Sequence, residues 1–164
     1  MKTASYALLA TAALTAPAFA QEAAPAQTHI MAARMVDVLT GKVVDYPLIT
    51  VQDGRIVAIA DSRTVKLSAN AKIIDLGSKT LLPGLIDMHV HLDGPADIGG
   101  YRGLEFTDSF WGMTAVGSAR SMLDAGFTTI RNVGAGHRND IGLKQAIDKG
   151  YAVGPRIVPA GYAL

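Results

Sequence analysis

The 164-residue sequence contains no cysteine. That excludes a disulfide framework and any thiolate metal site, and it suits an oxidising compartment. There is no block of like charge either. Fifteen Lys and Arg stand against fourteen Asp and Glu, a formal net charge of +1. Nucleic-acid binding needs a clustered basic face, so nucleic acid is not an expected partner. Beyond the N-terminal region no apolar run approaches the ~20 residues that cross a bilayer, so no membrane partner is expected of the mature chain.

The N-terminus carries an export pattern. Met1-Lys2 is a short positive start, followed by the alanine-rich apolar stretch from Tyr6 to Ala16. Pro17 and the small-x-small triplet Ala18-Phe19-Ala20 precede Gln21. This order reads as a secretory signal peptide over residues 1–20, cleaved after Ala20, with a secreted or periplasmic destination. An apolar stretch of about 11 residues is too short for a membrane anchor. Residues 21–28 read as a flexible leader.

Residues 28 to about 80 are strand-like. Ile30 to Val38 is one candidate strand, leading to a turn at Thr40-Gly41-Lys42. Tyr46–Gln52 and Arg55–Ala60 flank Asp53-Gly54, a two-residue turn suited to type I′ hairpin geometry. Lys72–Leu76 is another short strand. From Pro83 the pattern alternates strand and helix, the sign of a parallel sheet with crossover helices. Strands are expected at about Leu85–Val90, Thr128–Val133 and Ile157–Ala160. A helix is expected over Trp111–Ala125, with Met113, Val116, Met122 and Leu123 on its apolar side and Phe110 and Trp111 packing it. A second helix starts at an Asp140 cap and ends at Gly150.

The chemistry concentrates in Leu81-Leu82-Pro83-Gly84-Leu85-Ile86-Asp87-Met88-His89-Val90-His91. On a strand, His89 and His91 share a face, with Cα atoms roughly 6.6 Å apart. Two imidazoles at that spacing can lean onto one metal ion. A bare His-x-His is weak evidence, and most such pairs are solvated or satisfied histidines. The setting adds weight: Leu81 to Val90 reads as a strand buried on both faces, where imidazoles and a carboxylate are costly without partners. Asp87 falls on the histidine face one pleat earlier, as a group that would orient a ligand.

Leu82-Pro83-Gly84-Leu85-Ile86-Asp87-Met88-His89-Val90-His91 resembles the first-strand signature of the amidohydrolase superfamily. Asp53-Gly54-Arg55-Ile56-Val57-Ala58-Ile59 resembles the hairpin that precedes the barrel in that family. Gly126-Phe127-Thr128-Thr129-Ile130-Arg131-Asn132-Val133-Gly134 resembles its second barrel strand, and Gly154-Pro155-Arg156-Ile157-Val158-Pro159-Ala160-Gly161 its third. The likeness covers residues 29 to 164, on the branch holding prolidase-like and imidazolonepropionase-like enzymes. Position 132 is Asn where that branch usually carries Asp, so no carboxylate function is carried over to it.

The resemblance implies an α/β fold. Residues 29–82 would be a small β-sandwich-like subdomain, and residues 83–164 the N-terminal part of a (β/α)8 TIM barrel, with about three strands present. It implies one or two divalent metal ions, zinc expected, held by His89 and His91. It further implies a metal-activated hydroxide that attacks the C–N bond of an amide, cyclic amide or dipeptide. The family's other ligands, a carboxylated lysine, two histidines and an aspartate, belong to later strands, so no catalytic residue is assigned. The expected partner is a small-molecule or dipeptide substrate, an Xaa-Pro dipeptide by preference, with a homo-oligomer possible. A (β/α)8 barrel needs about 250 residues. The chain therefore reads as an N-terminal portion, inactive alone. The rival readings are a non-catalytic remnant or half of a split enzyme, and a periplasmic metal-binding module.

Other residues have two readings each. His137, after the second strand, is a substrate contact or a solvated loop histidine. Asp93 hydrogen-bonds a ligand or serves a turn beside Gly94. One of Arg131 and Asn132 should face the interior, either supporting the residues that hold the metal or making a structural pairing. His29 is read as incidental, and Arg102 and Glu105 are undecided between substrate and surface.

Overall fold

The computed structural model describes residues 26–162, which fall into two compact units. The expected signal peptide and residues 21–25 of the expected leader lie outside the described residues. In chain order the first strands are β1 (Gln27–Met31), β2 (Arg34–Asp37), β3 (Lys42–Asp45), β4 (Pro47–Gln52), β5 (Arg55–Asp61), β6 (Lys72–Asp75) and β7 (Thr80–Leu81). Then follow β8 (Leu85–Val90), helix α1 (Asp108–Asp124), β9 (Phe127–Asn132), helix α2 (Asn139–Asp148) and β10 (Arg156–Val158).

The first unit holds residues 26–33 and Asp45–Lys79. Its sheet has the order β5-β4-β1-β6, with β1 antiparallel to β4 and parallel to β6. The β4–β5 hairpin closes at Asp53-Gly54, where both residues have positive φ (50° and 72°), as a type I′ turn requires. β1 begins at Gln27, inside the stretch expected to be a leader, because Thr28 pairs with both Val51 and Lys72. His29 is buried in this sheet, its Nδ1 3.1 Å from Thr50 Oγ1.

The single strand expected over Ile30–Val38 is two strands. Between them the Ala33 N–H donates to Gly77 O at 2.9 Å, and its carbonyl accepts from Tyr46 N at 2.8 Å. The chain thus leaves one sheet before β2 joins another, of order β3-β2-β7. Residues 29–82 are accordingly shared between the units, the second holding Arg34–Val44 and residues 80–162.

The second unit is built around a parallel sheet of order β10-β9-β8. The β-α-β-α-β succession appears as expected, the first strand at its expected bounds and the other elements shifted by at most three residues. Leu92, Ala115, Ala119, Ile130, Leu143 and Ile157 form its buried core, with Val90, Met122, Phe127 and Ile147 packed against it. The buried face of α1 is therefore Ala115 and Ala119, small residues that let the helix axis approach the sheet. Met113 (69 % exposed) and Val116 are not in it, contrary to expectation. Phe106, Phe110 and Trp111 cluster at the start of α1, with ring centroids 4.2–5.9 Å apart.

β8 is not buried on both faces. Leu85, Ile86 and Met88 are 45–62 % exposed, because β9 is its only strand neighbour among the described residues. No described helix is long and apolar enough to cross a membrane.

Candidate functional site

The site lies where the parallel strands end. Pro83-Gly84 leads into β8 at a point of close approach, since a Cβ on Gly84 would overlap the Thr128 side chain. Thr128 is the residue that β9 carries in excess there: Leu85 pairs with Phe127 and Ile86 with Thr129. A compensating irregularity follows on β8, where Asp87 pairs with Ile130 but Val90 pairs with Asn132. Three steps of β8 thus oppose two of β9, which re-aims the side chains of Met88 and His89.

The two histidines do come together, though not through regular strand alternation. Their ring centroids are 5.6 Å apart and the planes are inclined at 71°. Asp87 Oδ1 accepts from the His89 backbone N–H at 3.0 Å. The carboxylate therefore shapes the main chain of the bulge, and its contact with His89 is not with the ring. His91 Nδ1 donates to the Gly134 carbonyl at 3.2 Å. A donor on Nδ1 leaves Nε2 as the lone-pair nitrogen, the arrangement in which histidine ligates a metal.

Asp93 Oδ2 accepts from Gly136 N at 2.8 Å and from Asn139 Nδ2 at 3.3 Å, tying the loop after β8 to the one after β9. With His91, Gly134, Ala135, Gly136 and Tyr162 it lines an open concavity of ≈ 350 Å³. His137 is not in that concavity. It lines a neighbouring one of ≈ 430 Å³ with Asp93, Asp108 and Trp111, and its Nε2 lies 3.2 Å from Asp108 Oδ1 on the solvent side. His137 and Arg138 both have positive φ (51° and 58°), an unusual pair of non-glycine residues in the left-handed region.

Of the pair ending β9, Asn132 is the interior residue and is fully buried, whereas Arg131 is exposed. Asn132 meets a carboxylate that the sequence did not reveal as part of the site. Asp140, also fully buried, is not a helix cap: Arg138 precedes α2 in the cap position, and Asp140 turns inward from the first turn. It lies eight residues beyond Asn132, and its only local signal was an acidic residue at a helix start, which fits a cap equally well.

Two neutral imidazoles fit part of a divalent metal site, and zinc in particular takes His nitrogen readily. Catalytic zinc usually has three protein ligands and water. Among the described residues no group of three or more His, Cys, Asp or Glu is placed to hold one ion.

Known proteins agree with this local architecture. No curated protein matches the chain. A Xaa-Pro dipeptidase crystallised with methionine in its active site is similar at 29 % identity and a TM-score of 0.74, over 84 % of this chain and 34 % of that one. A prolidase complexed with N-methylphosphonate-L-proline is similar at 32 % identity and 0.70, over 82 % and 32 %. Molinate hydrolase follows at 25 % and 0.71, over 84 % and 30 %. The chain thus spans about a third of the length of these solved enzymes. The model of the Amidohydrolase family matches residues 80–164, the stretch that contains β8, β9, β10 and both clustered histidines, and this chain belongs to that family.

Proposed function

We propose that the chain carries the first two metal ligands, His89 and His91, of an exported metal-dependent hydrolase that cleaves a C–N bond. The observation that carries this reading is the convergence of the two rings at the end of β8, with His91 Nδ1 committed to a backbone carbonyl. In this reading β8, β9 and β10 are the first three strands of a (β/α)8 barrel, whose reacting groups gather at the strand C-termini. A divalent ion held there by His89 and His91, zinc for preference, would supply an acidified water and would polarise a substrate carbonyl.

The chain's own residues have separate tasks. His89 and His91 would hold the ion, and the Gly134 carbonyl fixes the nitrogen that His91 presents. Asp87 keeps the bulge that brings His89 to its partner. Asp93 joins the two loops that floor the concavity beside His91, where a small substrate would lie. The likeness to a Xaa-Pro dipeptidase and a prolidase supports a dipeptide as the substrate class, and the pattern of residues 1–20 supports a periplasmic or secreted location.

Two ligands are fewer than a catalytic zinc usually has. Residues 26–162 alone are therefore proposed to bind zinc weakly and to catalyse nothing measurable. Zinc titration of the 164-residue chain checks this: wild type should show weak binding that His89→Ala or His91→Ala abolishes. Zinc binding that survives both substitutions would overturn the site, and a zinc equivalent retained through dialysis would overturn the incomplete ligand set.

A further inference from the structure

Asn132 and Asp140 are fully buried, and an amide beside a carboxylate in an interior is costly unless each polar atom is partnered. Here each is. Asn132 Oδ1 accepts from Leu92 N at 3.0 Å, and its Nδ2 donates to Gly134 O at 3.0 Å and Asp140 Oδ2 at 3.2 Å. Asp140 Oδ2 also accepts from Ala160 N at 2.9 Å and Gly161 N at 3.0 Å, while its Oδ1 accepts from Ile141 N at 2.8 Å.

The chemistry leaves the amide one orientation. Leu92 N–H only donates and so selects Oδ1; the Gly134 carbonyl only accepts and so selects Nδ2. The pair also meets the continuation of all three parallel strands, since Leu92 follows β8, Gly134 follows β9, and Ala160 and Gly161 follow β10. Gly161 O in turn accepts from Ala135 N at 2.7 Å. The Gly134 carbonyl therefore accepts from both Asn132 Nδ2 and His91 Nδ1–H.

We infer that Asn132 and Asp140 are positioning residues for His91: they fix the Gly134 carbonyl, and that carbonyl fixes the imidazole. Neither touches the ring. The consequence for metal binding rests on the role proposed for His91; the ring geometry does not.

The test is the ring N–H of His91, read by 1H–15N correlation in the intact protein with chelator present, so that no metal sets the state of the ring. Wild type should show a slowly exchanging Nδ1–H. Asn132→Ala should lose it and bind zinc about 10- to 100-fold more weakly. Leu143→Ala, which thins the core and removes no hydrogen bond, should lower stability and leave the signal in place. Absence of the signal in wild type, or its persistence in folded Asn132→Ala, would overturn the inference. The wild-type spectrum decides even where a 132 variant does not fold. A normal ring signal in protein that binds no zinc would sustain this inference and sink the metal reading.

Discussion

Position 84 admits no side chain. A Cβ there would lie 2.7 Å from Thr128 Cβ and closer still to the rest of that side chain. Gly84→Ala should therefore destabilise the second unit by about 1–3 kcal/mol, as overpacking does, measured by denaturant unfolding. An unchanged midpoint would show that Thr128 can swing away. The tightness at Pro83-Gly84 was not legible in the sequence, because the clashing residue lies on β9. The same limit governs the site. That His89 and His91 lie close together was legible from their spacing, whereas the doubly buried setting expected for them is not found. Asn132 showed as a departure from Asp and as one of two residues that could face the interior, and Asp140 only as a helix start. Their role depends on backbone N–H groups of Leu92, Ala160 and Gly161 that no local pattern brings to them.

Elements were legible where the signal was local. The β4–β5 hairpin followed from Asp53-Gly54, and the alternation of strand and helix after Pro83 was plain. The break between β1 and β2 was not, since it depends on Ala33 finding Gly77 and Tyr46 as partners. Nor was the bulge of β8, which arises from pairing with β9. The turn after β5 gives a pH dependence. The Arg63 side chain donates to the Asp61 carboxylate through Nε and Nη2 at 3.0 and 2.7 Å, and the Arg63 backbone N–H adds a bond at 2.9 Å. These bonds hold its pKa at about 2, below the ordinary carboxylate value of 3.8. A depressed folded pKa means that the unfolded chain takes up the proton first. The contribution of the turn is thus complete above the unfolded value and lost as pH falls through about 2. A carboxyl 13C titration of Asp61 should give that low midpoint, and Arg63→Ala should return it towards 3.8. A midpoint unaffected by the substitution would remove Arg63 as the cause.

At the scale of the whole molecule, the parallel sheet ends at β8 and β10, which have no further strand partner among the described residues. Leu85, Ile86, Met88 and Val158 are substantially exposed along them. Open edges flanked by apolar side chains recruit other strands. The 164-residue chain should therefore self-associate with rising concentration, seen by sedimentation velocity. A monomer across the micromolar range would show that those edges are blunted. Fold class was the most legible property at this scale, because a repeating β-α order needs no long-range contact to be recognised.

The Asn132–Asp140 pair also constrains how the sequence can change. One amide and one carboxylate serve four backbone donors and one carbonyl, drawn from the ends of three strands and the first turn of α2. Contacting residues of this kind couple by about 0.5–3 kcal/mol. A library that varies either position singly will score both as intolerant, because each replacement strands partners that the other cannot serve. Viable alternatives lie at least two substitutions away, across a valley that stepwise selection crosses poorly, so engineering of this site should randomise the two positions together.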